Sequence, residues 1–109
     1  MAVEHLLARG CRRLAYMGGQ KGDRIFMDRL EGFRLAAQKN GLEVPAEHIT
    51  YNEPDIDAIY RSALHLLELP QRPDGIVCTN SLMTVGTMRA VAQMELRMPQ
   101  DISLIAFDD

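Results

Sequence analysis

Stretches with helical spacing of apolar residues alternate with short apolar runs along this chain of 109 residues. The runs cover 13–17, 48–52, 75–79 and 102–107, and a helical pattern precedes each of them. Short, nearly continuous apolar runs are typical of strands buried on both faces of a parallel sheet, and the second run, which is the most polar, is predicted nearer an edge. The α-β-α-β-α-β-α-β order predicts an α/β fold: a doubly wound, mostly parallel sheet with helices on both faces and right-handed crossovers.

Residues that begin and end helices set the predicted boundaries. The first helix spans 3–9 and ends at Gly10, since glycine readily takes the left-handed backbone that closes a helix. A polar loop over 18–27 then leads to a second helix, which begins at Asp28 and is stopped by Asn40-Gly41. The third helix is capped by Asp55 and the fourth by Asn80-Ser81.

The fourth helix, over 82–95, is apolar on two sides. One stripe is formed by Met83, Thr87, Ala90, Val91 and Met94, and the other by Leu82, Val85, Met88 and Ala92. A single apolar face is enough to cover a sheet. The second stripe therefore predicts burial against another helix of the same chain or against a second subunit, and we favour self-association.

Composition and motifs exclude several classes of protein. The chain carries 12 Lys and Arg against 15 Asp and Glu, a formal net charge of −3, so we expect no direct contact with DNA or RNA. No segment has the roughly 20 apolar residues of a membrane span and no signal peptide opens the chain, which predicts a cytoplasmic protein. The three histidines lack metal-ligand spacing, so no metal site is predicted, and we place them on surfaces or helix flanks: His5, His48 and His65.

Nothing in the sequence indicates catalysis or a cofactor. The loop 18–22 has neither the order of a dinucleotide fingerprint nor that of a phosphate-binding loop. Ser81 and Ser103 lack the context of a nucleophile elbow, and Cys78 lies in an apolar run that predicts a buried thiol. We therefore predict a protein that is not an enzyme and has no cofactor.

Polar residues stand where the predicted strands end. Ligands of open α/β sheets bind beyond the carboxyl ends of the strands, and four loops deliver polar groups there. Asn80 and Asp108 offer hydrogen-bond partners for adjacent hydroxyl groups, and the guanidinium of Arg29 suits a carboxylate or vicinal hydroxyls. The residues alone leave another reading open, in which Asn80 and Asp108 cap turns and Arg29 is a surface arginine.

Four blocks of the sequence occur in an order that is known from one family. They are EHLL with GCRRLAYMGG (4–19), RLEGFR with GL (29–42), RPDGIVCTN (72–80), and MTVGTMR followed by LRMPQDISLIAFDD (83–109). These blocks resemble the lactose-repressor/galactose-repressor (LacI/GalR) transcription regulators. Three departures stand out: Cys11 replaces a usual histidine, Ser81 replaces an aspartate, and Glu53-Pro54 stands where many members place an aromatic that stacks on a sugar ring.

The resemblance implies one lobe of a periplasmic-binding-protein-like (type I) fold. Residues 1–109 would form most of the C-terminal subdomain of an effector-binding domain, with the other lobe and the helix-turn-helix absent from this stretch. It implies that Arg29, Asn80 and Asp108 hold a small effector, a sugar or related metabolite, and that the helix with Leu82, Val85 and Met88 contributes to a homodimer.

The leading hypothesis is therefore the sensing part of a cytoplasmic repressor, in which the effector allosterically controls operator DNA binding by the absent helix-turn-helix. The alternative is a solute-binding protein of an importer, which shares the fold. An enzyme of unrecognised type would depend on the fold alone.

Overall fold

The computed structural model describes residues 2–106, in which helices and strands alternate as the sequence predicts. The elements run in the order α1 (Ala2–Ala8), β1 (Leu14–Gly18), α2 (Arg24–Lys39), β2 (Ile49–Tyr51), α3 (Ile56–Leu67), β3 (Gly75–Cys78), α4 (Ser81–Gln93) and β4 (Ser103–Ala106). A single 3-10 turn, Ala46–His48, precedes β2. Phe107, Asp108 and Asp109 lie outside the described residues.

The four strands form one parallel sheet in the order β2-β1-β3-β4. From β1 the chain passes through α2 to one side, and from β2 it crosses back to β3 on the other side of β1. The strand order therefore reverses between β1 and β3, and a crevice opens beyond the carboxyl ends of these two strands. β2 lies at an edge, as its polar sequence predicts.

Two apolar cores cover the two faces of the sheet. Successive residues of a strand point to opposite faces, so Leu14, Tyr16 and Val77 pack with α1 and α2. Ala15, Met17, Ile76 and Cys78 face the other way and pack with α3 and α4. This two-sided burial confirms the doubly wound α/β class.

The second helix begins four residues earlier than the sequence predicts. Asp23 caps α2 by accepting a hydrogen bond from the backbone N–H of Ile25. This cap draws 24–27, which was predicted as loop, into the first turn. The helix start is hard to recognise in the sequence because the short apolar stretch 25–27 lies between two charged residues, Arg24 and Asp28. The other predicted caps are confirmed at Asp55 and Asn80, and Gly10 has a φ of +93°.

The prediction for His48 is wrong. Its side chain is buried, with Nδ1 at 3.2 Å from the Leu14 carbonyl oxygen and Nε2 at 2.9 Å from that of Gln71. These two contacts join the start of β1 to the segment before β3. His5 and His65 are exposed, as predicted.

None of the helices over residues 2–106 is both long enough and apolar enough to cross a membrane.

Candidate functional site

Three loops meet in the crevice where the strand order reverses. They follow β1, β2 and β3, and they begin at Gly19, Asn52 and Thr79. The Asn52 backbone N–H donates to the Gly19 carbonyl oxygen at 3.0 Å, which ties the first loop to the second. The Thr79 hydroxyl donates to the Met17 carbonyl oxygen at 3.1 Å and ties the third loop to β1. The edge is therefore held in place before any ligand arrives.

Asn52 fixes this junction with its side chain as well as with its backbone. Its Nδ2 donates to the Gly18 carbonyl oxygen at 2.8 Å and to the Thr50 hydroxyl oxygen at 3.0 Å, and the residue is 8% exposed. On the neighbouring loop, Nε2 of Gln20 donates to Oε1 of Glu53 at 2.6 Å. These bonds use both N–H groups of the Asn52 amide and one of the two of the Gln20 amide, and they leave both carbonyl oxygens as acceptors.

Asn80 caps α4 and lies at the crevice. Its Oδ1 accepts from the Met83 backbone N–H at 3.0 Å, so the capping role that the sequence left open is correct. This bond fixes the side-chain oxygen on the helix and leaves Nδ2 as the donor. A cap and a ligand contact are compatible in this residue, because they use different atoms.

Arg29 reaches from α2 towards the end of β3. Its Nη1 donates to the Thr79 carbonyl oxygen at 3.3 Å, one residue before Asn80. The guanidinium also lies close enough to Tyr16 to act on the phenol. Burial raises the pKa of Tyr16 to about 12, and the charge of Arg29 opposes that rise. Arg29 and Asn80, two of the three predicted site residues, are thus placed at the same edge. The third, Asp108, is outside the described residues.

The three loops surround a hollow of about 180 Å³. Its walls are formed by Gly19, Gln20, Asp23, Phe26, Asn52, Pro54, Asn80 and Met83. A larger hollow of about 540 Å³ lies beside the amino end of β4, between Arg9, Met98 and Leu104. Because ligands of open α/β sheets bind beyond the carboxyl ends of the strands, we take the smaller hollow as the candidate site.

Sequence reasoning missed Phe26, Gln20 and Asp23 as lining residues. Phe26 was assigned to a loop, whereas the first turn of α2 brings its ring to the hollow. The signal in the sequence is Asp23, a good capping residue that is followed by Ile25 and Phe26 two and three positions later. No aromatic stands at 52–55, and the aromatic ring that lines this hollow comes from the first turn of α2.

Neither cysteine shows the features of a reactive thiol. Cys78 is buried in β3, and burial raises the pKa of its thiol to about 11. Burial also raises the pKa of Cys11, whose Sγ donates to the Asp74 carbonyl oxygen at 3.2 Å. A nucleophilic cysteine needs the thiolate form, which both environments disfavour. Over residues 2–106, no three His, Cys, Asp or Glu residues are grouped as metal ligands.

The second apolar stripe of α4 faces outwards. Val85 is 47% and Met88 46% exposed, whereas Leu82 is partly buried against the core that α3 and α4 share. The other stripe is buried, with Met83, Ala90 and Val91 in that same core. The two-sided character that the sequence predicts for this helix is therefore confirmed, and its outer side stays a predicted interface.

Comparison with known proteins extends over the whole chain. The family described as periplasmic binding protein-like domain matches residues 3–109. The HTH-type transcriptional repressor PurR of Escherichia coli is 32% identical over 109 residues, which are 100% of this chain and 32% of PurR.

Two solved structures show the same fold. A LacI-family regulatory protein from Chloroflexus aggregans superposes with a TM-score of 0.91 and 34% identity, over 99% of this chain and 39% of that one. A sugar-binding LacI-family regulator from Escherichia coli, solved in complex with phosphate, gives a TM-score of 0.88 and 25% identity over 99% of this chain and 39% of that one.

The chain spans about a third of the length of its relative PurR. The match covers the whole of this chain, and the fold is of the α/β class that the sequence predicts. This chain belongs to the periplasmic binding protein-like domain family and is homologous to LacI-family transcription regulators.

Proposed function

We propose that this chain is the larger part of one lobe of a cytoplasmic LacI-type repressor, and that the lobe senses a small effector. The observation that carries the proposal is the meeting of three loops at the crevice between β1 and β3, where Arg29 and Asn80 lie at one edge of the sheet. The three relatives described above are transcription regulators, and this supports a regulator over a receptor of an importer.

The effector closes the cleft between this lobe and a second lobe elsewhere in the full-length protein. Closure changes the dimer, and the dimer changes the affinity of a helix-turn-helix for operator DNA. This lobe itself does not contact DNA, because its formal net charge is −3. The effector is a sugar or a related metabolite, held by Arg29, Asn80 and Asp108, and the protein is not an enzyme.

Substitution of the charged site residues tests effector binding. In the full-length protein, Arg29→Ala and Asp108→Ala are each expected to weaken effector binding by about 1.5–3 kcal/mol, because each removes charge-assisted hydrogen bonds. Calorimetry with the effector found by a thermal-shift screen measures this loss, and operator binding with and without that effector measures the coupling. Arg34→Ala, an exposed arginine on α2, is the control. Unchanged affinity in both site variants would remove these residues from the site.

The outer side of α4 is proposed as the dimer interface, with Leu82, Val85 and Met88 against a second copy. Val85→Asp buries a charge in such an interface and is expected to shift the protein towards monomer in sedimentation. Leu35→Asp places the same charge on α2, where the leucine is 55% exposed, and is the matched control. A dimer that survives Val85→Asp places the interface elsewhere.

A further inference from the structure

The first turn of α2 holds an aromatic ring over the backbone of Gly19. A β-carbon on Gly19 would overlap with ring atoms Cε2 and Cδ2 of Phe26 and would lie 2.7 Å from Cζ. The ring therefore occupies the space that a side chain at position 19 would need. Since both residues line the hollow, Phe26 forms one of its apolar walls, and Met83 and Pro54 add apolar surface.

The backbone that carries this ring is held from two sides. The hydroxyl of Tyr16, a residue of β1 that is 1% exposed, donates to the Phe26 carbonyl oxygen at 3.1 Å. Asp23 caps the helix turn that carries Phe26. An aromatic side chain held in place before binding loses little conformational entropy when a ligand stacks on it.

The polar atoms around the ring are mainly acceptors. Asn52 uses both N–H groups on Gly18 and Thr50, and Gln20 uses one of its two on Glu53, which leaves Oδ1 of Asn52 and Oε1 of Gln20 as acceptors. Each amide orientation follows from the chemistry, because a carbonyl or carboxylate partner accepts and requires the nitrogen. The Asp23 carboxylate adds further acceptor capacity, whereas Asn80 supplies a donor. A ligand that satisfies these atoms carries several O–H or N–H groups.

Among the described residues that line the hollow, the one charged side chain is acidic, and a negative charge there disfavours an anion. Asp23 lines the hollow, and Glu53 holds the Gln20 side chain at its rim. The ammonium of Lys21 lies over the ring of Tyr51, 5.1 Å from its centroid. The Arg29 guanidinium bonds the Thr79 carbonyl oxygen, at the other side of the crevice.

We propose that Phe26 is the stacking residue of the effector site and that the site selects an uncharged ring with hydrogen-bond donors along its edge. A pyranose and a nucleobase share this chemistry: an apolar face that packs on an aromatic ring, and O–H or N–H groups around its rim. This inference deepens the proposed function and depends on it. It identifies the chemical class of the effector and a residue that sets it.

A double-mutant cycle in the full-length protein tests the role of the ring. Phe26→Ala is expected to weaken binding about ten-fold, a typical effect of losing one stacked aromatic. Gly19→Ala is expected to weaken it by a similar factor, because the new methyl group displaces the ring. In the Phe26→Ala background, Gly19→Ala is expected to change binding by less than about two-fold, since the two substitutions then remove one interaction. Phe26→Tyr keeps the ring and restores binding, and Leu35→Ala on the same helix leaves it unchanged.

The probes are matched pairs that differ in charge: glucose with glucose 6-phosphate, ribose with ribose 5-phosphate, and adenosine with adenosine monophosphate. Thermal shift and calorimetry are expected to show that at least one neutral member binds, more than about ten-fold tighter than its phosphorylated partner. The sugar and nucleoside arms then tell which ring the site takes. Tighter binding of the phosphorylated members, binding of no neutral member, or additive losses in the double-mutant cycle would each overturn the inference.

Failure of the proposed function is a separate outcome. A neutral ring that binds through Phe26 but leaves operator affinity unchanged would contradict the regulator and leave the site intact. A phosphorylated ligand that does change operator affinity would support the regulator and contradict the proposed selectivity.

Discussion

The two ends of the sheet use their polar groups in opposite ways. At the amino edge, where strands begin, the Asp74 carboxylate accepts from the backbone N–H groups of Arg12 and Arg13 at 2.8–3.1 Å. Both ring nitrogens of His48 contact backbone carbonyl oxygens there. At the carboxyl edge, Asn52 donates to the backbone through Nδ2 and keeps Oδ1 as an acceptor. Asn80 accepts from the backbone through Oδ1 and keeps Nδ2 as a donor. The polar side chains of the amino edge bind other groups of the fold, whereas the carboxyl edge keeps unused acceptors and donors around a hollow.

This difference suggests that polar groups of the amino edge contribute to folding stability and those of the carboxyl edge to ligand binding. A polar group whose capacity is fully used by the fold contributes to folding and has nothing to offer a ligand. A group that is half used is held rigidly and still presents an atom for recognition, as an organised binding site requires. We therefore expect substitutions at the amino edge to lower the free energy of unfolding without changing effector affinity, and substitutions at the carboxyl edge to do more to affinity.

The largest loss of stability is expected for His48→Ala. The substitution removes the contacts of the imidazole with two backbone carbonyl oxygens, where a neutral ring donates one hydrogen bond, and it creates a cavity; together these lower the free energy of unfolding by about 3 kcal/mol. Urea unfolding of the full-length protein measures this loss. His65→Ala, on the exposed side of α3, is the matched control and is expected to change stability little. Equal losses in the two variants would contradict the stabilising role of the polar groups at the amino edge.

Asp74→Ala is expected to follow, at about 2 kcal/mol, because it removes charge-assisted hydrogen bonds from two backbone N–H groups. Effector affinity is expected to stay the same. Asp57→Ala removes a carboxylate that is 3.6 Å from Arg89 in an exposed ion pair and is the control, with a loss below about 0.5 kcal/mol. A clear loss of affinity in Asp74→Ala would show that the two edges are coupled.

Sequence patterns predict the architecture because the spacing of apolar residues indicates which positions are buried in a strand or a helix. The strands, their alternation with helices and the edge position of β2 all follow from runs such as Ile76-Val77-Cys78, which are buried on both faces. The caps at Asp55 and Asn80 follow equally directly, since their side chains act on residues two or three positions away. Capping interactions between residues so close in the chain can be predicted from a single sequence.

One of the parts that sequence did not predict depends on residues far apart in the chain. The partners of His48 are 34 and 23 residues away, and no local pattern specifies them. Phe26 was missed for a different, local reason, because the helix start at Asp23 is not recognised in the sequence. The assignments of Arg29, Asn80 and Asp108 to the effector came from the family resemblance, and they stay predictions.

Tyr16→Phe sharpens the comparison at the carboxyl edge, with an expected loss of about 1 kcal/mol at neutral pH for the bond to Phe26. Burial raises the pKa of Tyr16 from 10 to about 12, so the unfolded chain loses this proton first as pH rises. The stability that this group contributes is present below pH 10 and is lost between pH 10 and about 12. The variant is expected to lose less stability than the natural protein across that window. Parallel unfolding curves for the two proteins would contradict the burial of the phenol.

The smallest effect is expected at Asp101, in the exposed loop before β4. Its Oδ2 accepts from the Arg97 backbone N–H at 2.8 Å and from Nε at 3.3 Å, and these bonds lower the pKa of the carboxyl below its ordinary 3.8. Because the folded pKa is the lower one, the contribution of Asp101 to stability is present above pH 3.8 and is lost as pH falls through the folded value. The difference in melting temperature between the natural protein and Asp101→Asn should therefore shrink as the pH falls below 3.8. Arg97→Met keeps the backbone donor, which is the larger cause of the shift, and should retain most of that pH dependence. A melting-temperature difference that stays constant with pH would mean that the charge of Asp101 does not contribute to stability. The stabilising polar contacts of the amino edge would then not extend to this loop.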